Sequence, residues 1–390
     1  MGLREEIFEQ PAVMARFLER QGETVERVAE AIRRRGVEFV FLAARGTSDH
    51  AGVYAQYLWG GRNRLAVALA APSLFSLYGA SPRLERALVV GISQSGQSPD
   101  VAEVIAEGRR QGALTLAMTN AIDSPLADEA EFDVDLSAGE EKAVAATKTY
   151  TAELMAVAAL SVALNGRAGE RADLARVPAA AAAALEQDET ARRLAEADRE
   201  MGHCVVLGRG YHYSTALEWA LKLKELAYVL ADPYSSAEFQ HGPIAVIEPG
   251  FPVLAVAPSG ATLPNLLTLL KRLKDQHGAQ LLVVSDDPQA QALTERVLPL
   301  PAGLPEWLVP LAGILPAQLY CYHLTRAKGY NTETPRSIRK ARRADIPVWT
   351  SAEIDAEARY LGLDGSPTKV VQIFTPPRRT DQVQIIQGDS

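Results

Sequence analysis

The sequence predicts an α/β chain of two tandem domains, each a doubly wound parallel sheet flanked by helices. Three observations carry this. Residues 87–92 run apolar without alternation, as a strand buried on both faces does. The turn Ser93-Gln94-Ser95-Gly96-Gln97-Ser98-Pro99 follows at once. Pro99 then stands where a first helical turn tolerates proline, and Val101, Val104, Ile105 and Gly108 continue at helical spacing. Third, landmarks recur: Arg45-Gly46 and Ser95-Gly96 return as Arg209-Gly210 and Ser259-Gly260, both displaced by 164 residues.

The elements follow in order. Residues 1–35 read as one or two amphipathic helices ending near Gly36. A strand over 37–44 exits through Ala44-Arg45-Gly46-Thr47-Ser48-Asp49-His50 into a helix over 51–58. Strands are expected at 65–71, 87–92, 113–118 and 132–136, with a helix from Pro99 to about Gly112. A small-residue loop, 138–151, runs into an apolar helix over 154–164. The alanine-rich stretch 171–200 reads as a helical connector. The strand pattern then restarts at 204–207, 252–257 and 281–284. These readings divide the chain into N-terminal helices (1–35), a first domain (36–168), the connector (169–200), a second domain (201–343) and an extension (344–390).

Bulk properties exclude several classes. The 390-residue chain carries a net charge of −8 and no long basic run, which argues against nucleic acid as a partner. The charged start, Met1-Gly2-Leu3-Arg4-Glu5-Glu6, lacks a signal-peptide core. The apolar stretch 308–324 is broken by Pro310 and Pro316 and reads as a core helix rather than a membrane span. Cys204 and Cys321 form neither a metal spacing nor a disulfide framework and read as buried apolar positions. A cytoplasmic protein without metal or organic cofactor is expected.

In doubly wound sheets ligands bind beyond the carboxyl ends of the strands. The two hydroxyl-rich turns, 46–48 and 93–98, both fall there. The turn at 93–98 aims backbone N–H groups and hydroxyls at one spot at the positive end of a helix, which suits a phosphate monoester. It has neither Walker A nor dinucleotide-fold glycine spacing. The same pattern also describes an ordinary capped strand-to-helix turn. In the second half, Lys222 and Glu225 are three apart on a predicted helix and share a face. Alone, such a pair reads first as a surface ion pair. His241 lies in the polar loop 235–243, where a lone histidine is usually a solvated one. The second turn, Ser259-Gly260-Ala261-Thr262-Leu263, keeps fewer hydroxyls, so phosphate is expected in the first half only.

Five motifs occur in the order found in the sugar isomerase (SIS) family: Arg45-Gly46-Thr47-Ser48, Ser93 to Pro99, Glu141 to Thr151, Ala220-Leu221-Lys222-Leu223-Lys224-Glu225, and Glu238-Phe239-Gln240-His241-Gly242-Pro243. Over roughly residues 10–340 the chain resembles the isomerase half of glutamine:fructose-6-phosphate amidotransferase. It resembles SIS-type glucosamine-6-phosphate deaminases more closely, through Ser95 to Asp100, Glu141 to Lys148 and Ser235 to Glu238. The resemblance implies that Ser93, Gln94, Ser95 and Ser98 hold the sugar phosphate, helped by Thr47 or Ser48. It likewise implies that Gly46, Val144, Ala145 and Ala146 would line the sugar. Ser98 stands where the amidotransferases usually have threonine, and Ala146 where they usually have serine. By the same resemblance Glu225 would move the proton between C1 and C2 and Lys222 would stabilise the developing oxyanion. The resemblance further implies that His241, supplied by the neighbouring subunit of a homodimer, would open the sugar ring.

Thr334-Pro335-Arg336-Ser337-Ile338-Arg339-Lys340 resembles the family's C-terminal motif, whose lysine closes over the sugar and can form an imine, so Lys340 is a candidate amine. A solvated basic run over 336–343 reads equally well. About fifty residues follow where the family normally ends within a few. Residues 344–350 and 361–371 resemble the C-terminal arm of electron-transfer flavoprotein β subunits, with no flavin domain alongside.

The expected activity is conversion of glucosamine 6-phosphate and water to fructose 6-phosphate and ammonia. The chain starts directly in SIS-like sequence, so nitrogen from glutamine would need a separate subunit. Alternatives are a fructosamine-6-phosphate deglycase or another amino-sugar-phosphate deaminase/isomerase, the isomerase subunit of a glucosamine-6-phosphate synthase, and a non-catalytic phosphosugar sensor. Lys222, Glu225 and His241 argue against the sensor, which needs none of them.

Overall fold

A computed structural model describes residues 2–336 and residue 338. The expectations placed on Lys340 and on the extension 344–390 lie outside the described residues. Among the described residues ten strands form two parallel sheets. The first holds β1 (Phe39–Ala43), β2 (Ala66–Leu69), β3 (Ala87–Ser93), β4 (Leu114–Thr119) and β5 (Phe132–Asp135) in the order β2-β1-β3-β4-β5. The second holds β6 (His203–Gly208), β7 (Leu230–Ser235), β8 (Pro252–Val256), β9 (Gln280–Ser285) and β10 (Val297–Pro299) in the order β10-β9-β8-β6-β7. Read from the other edge, the second order repeats the first. Chain direction across each sheet reverses at one point, between β1 and β3 and between β6 and β8. Crevices for ligands open at such switch points.

Burial follows the apolar runs. Every residue of β3 and of β4 is buried, as strands covered by helices on both faces require. The helix Leu3–Arg35 is continuous, with Pro11 inside it, and ends at Gly36 in the left-handed conformation. It packs on the helix Lys148–Asn165, which is buried from Lys148 to Ala163. The apolar stretch with Pro310 and Pro316 is the helix Val309–Ala327, buried nearly throughout. Trp219 and Tyr320 meet edge to face within this core, ring centroids 5.9 Å apart. Each such fully buried side chain is worth roughly 1.5–3 kcal/mol of apolar transfer. Cys204 and Cys321 are buried free thiols, and burial raises both above the usual thiol range.

Several elements differ from the sequence reading. The helix after β1 spans Thr47–Asn63, starting four residues earlier than its apolar pattern, because Gly46 caps it directly. The connector is three short helices, Ala168–Ala175, Val177–Leu185 and Asp188–Ala197. Pro178 marks the start of the second, where its missing N–H costs nothing. Residue 235 ends a strand rather than opening a loop. β7, Leu-Ala-Asp-Pro-Tyr-Ser, carries a charge and a proline that hide it, and as a sheet edge it tolerates both. The three residues of β10 and the helix Leu263–His277 complete the second domain.

Candidate active site

Two of the catalytic candidates, Lys222 and Glu225, sit on the helix Tyr213–Leu226, which follows β6. Glu218, Lys222 and Glu225 are spaced i, i+4 and i+7 and so share one face. Lys222 is no surface residue: its side chain is 1% exposed, that of Glu218 0% and that of Glu225 25%. The ammonium Nζ lies 2.5 Å from Glu225 Oε2 and 3.4 Å from Glu218 Oε1. It also donates to Thr47 Oγ1 over 3.3 Å, and the Thr47 hydroxyl donates to Glu218 Oε1 over 3.2 Å. His50 Nδ1 lies 2.7 Å from the other oxygen, Glu218 Oε2. Burial alone would lower the affinity of Lys222 for its proton, but the charges of Glu218 and Glu225 outweigh this and hold it above the usual lysine range. The result is a fixed cation with one enclosed and one accessible carboxylate.

The turn after β3 is braced from within. Ser93 Oγ accepts from the Gly96 N–H over 3.2 Å and Ser95 Oγ from the Gln97 N–H over 3.3 Å. Both hydroxyls act as acceptors there, so their protons stay available to an anion. Ser98 is the N-cap of the helix Pro99–Arg110 but makes no capping bond with its side chain. Gly96 has φ of 62°, and a Cβ there would overlap Ser124. Glycine is therefore required both by conformation and by space. Arg45 pairs with Asp100 at 2.5 Å and ties the two turns together on the surface.

Other predicted ligands face inward. Gln94 Nε2 donates to Glu141 Oε2 over 2.6 Å, so this amide positions a loop. Glu141 also accepts from the Thr147 N–H (2.8 Å) and from Thr149 Oγ1 (2.7 Å). Glu6, on the N-terminal helix, accepts from the N–H groups of Lys142 (2.5 Å) and Ala143 (3.1 Å). Two acids thus hold the stretch containing Val144, Ala145 and Ala146, of which Val144 and Ala146 are half-buried and Ala145 is buried. Ser48 donates to Glu153 over 2.7 Å, and burial raises this carboxyl well above its usual range. The hydroxyl protons of Thr47 and Ser48 are thus both committed to interior acids, and a phosphate drawing on either must take that proton over. His241 is exposed, and the hydrogen bonds of Lys222 and Glu225 do not include it.

The residues that sequence reasoning missed are Glu218, His50 and Glu153, while Glu141 opens a motif that the sequence singled out without giving it a role. Glu218 had a signal, since it lies four residues before Lys222 on the same helix. His50 and Glu153 gain partners 168 and 105 residues away in the chain, and no local pattern announces that. Among the described residues no group of three or more His, Cys, Asp or Glu could hold a metal ion, and no helix is long and apolar enough to cross a membrane.

Paired parallel sheets with a serine-rich turn at the first switch point define a class, and the comparisons agree on it. Residues 37–163 and 199–326 match the model of the SIS domain, and the chain belongs to that family. Among curated relatives, glutamine–fructose-6-phosphate aminotransferase [isomerizing] of Thermococcus kodakarensis is 32% identical over 345 residues, covering 86% of this chain and 57% of that protein. The chain thus spans little more than half the length of the relatives it matches. The C-terminal domain of glucosamine-fructose-6-phosphate aminotransferase from Francisella tularensis superposes with a TM-score of 0.77 at 27% identity, covering 85% of this chain and 98% of that one. Glucosamine-6-phosphate deaminase from Thermotoga maritima shares the fold, with a TM-score of 0.70 at 20% identity over 87% of this chain and 98% of that one.

Proposed function

We propose that the chain is an isomerase-type enzyme acting on an amino-sugar phosphate, and specifically a glucosamine-6-phosphate deaminase. The observation that carries this is the contact of Lys222 with Glu225, a buried ammonium 2.5 Å from a carboxylate that remains partly open to solvent. Isomerisation next to a carbonyl needs one base that can return its proton to the neighbouring carbon, beside a fixed positive charge where the oxyanion develops. In the open-chain amino aldose, Glu225 removes the C2 proton while the Lys222 ammonium faces O1. The proton returns to C1, and the amino-bearing carbon becomes an iminium. Water adds there and ammonia leaves, giving fructose 6-phosphate. Ser93, Ser95 and Ser98 hold the phosphate with the N-terminus of the helix Pro99–Arg110. His241 opens the ring from a second copy of the chain in a homodimer, which accords with its exposure here.

The test is release of ammonia from glucosamine 6-phosphate by the full-length protein, with fructose 6-phosphate measured in the same reaction. Both products in equal amounts support the reading, and neither product overturns it. A second reading, the isomerase half of a glucosamine-6-phosphate synthase, is favoured by the relatives named as aminotransferases, 31–32% identical to this chain. It predicts isomerisation of glucose 6-phosphate and fructose 6-phosphate with little ammonia release.

A further inference from the structure

The second domain keeps the counterpart of the serine turn, and a carboxylate of the chain itself sits in it. At the 164-residue displacement Gly96 corresponds to Gly260, Ser98 to Thr262 and Ser48 to His212. The counterpart turn lies at the same place in its sheet, between β8 and the helix Leu263–His277, beside the switch point with β6. Glu306 enters it from the loop after β10. Its Oε2 accepts from the Ala261 N–H over 2.9 Å and its Oε1 lies 3.4 Å from the Thr262 hydroxyl, which donates to it. Gly260 has φ of 154°, and a Cβ there would collide with the Glu306 side chain, so the backbone is shaped around this carboxylate. The Ser259 N–H is taken by Asp286 over 2.7 Å.

A second observation points to a larger ligand. His212 is 1% exposed, and both its ring nitrogens are buried with no hydrogen-bond partner. Its Nε2 faces Glu306 Oε1 at 3.9 Å, beyond hydrogen-bond reach. Burial drives its pKa down to about 3, so the ring is neutral and carries a single N–H. A carboxylate offers two oxygens in one plane. A phosphate monoester offers three in a tetrahedral array, one more than Glu306 brings to the turn beside the unsatisfied His212 ring. A cavity of about 430 Å³ opens beside the same turn, lined in part by Ser259, Gly260, Lys271 and Asp287.

We propose that Glu306 is an internal stand-in for a phosphate group, and that displacing its carboxylate gives the second domain an anion site of its own for a phosphate monoester. The comparison of the two turns rests on the proposed phosphate role of the first. Glu306 then explains why one chain with two similar turns uses only one of them: the second is filled from within, at no cost in ligand-ordering entropy.

The test is a titration of isotope-labelled full-length protein with inorganic phosphate, followed at single backbone amides by nuclear magnetic resonance. Gly96 reports the first turn and Ala261 the second. In the wild type the Ala261 signal is expected to stay in place, while in Glu306→Ala it shifts saturably with phosphate. Glu306→Gln, which keeps the shape and loses the charge, is expected to shift at higher phosphate concentration. If Glu306→Ala does not fold, the glutamine variant alone decides. An unmoved Ala261 signal in a folded variant overturns the proposal, as does a wild-type response as large as the variant's. The failure of the first-turn reading is separate and visible as an unmoved Gly96 signal.

Discussion

Lys222 donates to the hydroxyl of Thr47 across 3.3 Å, so a cation on the helix of the second domain is fastened to the first residue of a helix in the first. Thr47 passes the contact on to Glu218, and His50, one turn further along, meets the other oxygen of the same acid. The helix Tyr213–Leu226 packs against the helix Thr47–Asn63. The residues proposed for proton transfer are therefore held against the domain that carries the serine turn, and the two halves of the site are registered to each other by a polar network.

Glu225→Gln removes the base and keeps the shape. Turnover of glucosamine 6-phosphate is expected to fall by on the order of 10²- to 10⁴-fold. Binding measured by calorimetry is expected to change little. Retained turnover would remove Glu225 from the chemistry, and no turnover in either protein with intact binding would favour a sensor.

Glu218→Gln leaves the buried Lys222 with one carboxylate in place of two. Glu225 still pairs with the ammonium at 2.5 Å, but less negative charge then faces a buried ion, so a lower Tm at pH 8 is expected. The pH dependence follows from the raised affinity of Lys222 for its proton, which Glu218 and then Glu225 provide against the opposing effect of burial. The unfolded chain releases this proton near the ordinary 10.5 and the folded chain only above it. The stabilisation is whole below about pH 10.5 and is lost as pH rises beyond. Melting curves from pH 8 to 11.5 should therefore fall more steeply above 10.5 in the wild type than in the variant. Parallel curves would show that Glu218 does not hold the proton.

Glu153→Gln tests the opposite sign. Burial raises this carboxyl well above its ordinary 4.5, so the unfolded chain loses the proton first as pH rises. Stability is therefore lost progressively above pH 4.5 until the folded group also ionises. A neutral amide escapes that loss. The Tm of the variant relative to wild type should rise between pH 4.5 and 8, and a difference independent of pH would show that Glu153 is ionised in the fold.

Gly96→Ala introduces a Cβ at φ of 62° that overlaps Ser124. The left-handed backbone costs about 1–2 kcal/mol for alanine, and the overlap adds roughly 1–3 kcal/mol. A lower Tm is expected, together with at least a tenfold loss of affinity for a phosphate ester, about 1.4 kcal/mol. Unchanged affinity in a destabilised protein would place the phosphate elsewhere.

Much of this was legible in local pattern. The unbroken apolar runs of β3 and β4 announce strands covered on both faces, and Ser93 to Pro99 announces the turn and its helix, because strand, turn and first-turn proline each depend on neighbours in sequence. β7 was hidden because Asp232 and Pro233 are tolerated only at an edge, and edge position is a property of the assembled sheet.

The sequence by itself determined the α/β class, the two sheets and the shared face of Lys222 and Glu225, since those rest on unbroken apolar runs, on landmarks recurring 164 residues apart and on the 3.6-residue period of a helix. Only the tertiary structure decided that Lys222 is a buried ion, that Thr47 and Ser48 spend their protons on Glu218 and Glu153, and that Glu306 fills the second turn. Burial and long-range pairing are set by what packs on a residue from elsewhere. Partners up to 175 residues apart leave no periodic trace between them.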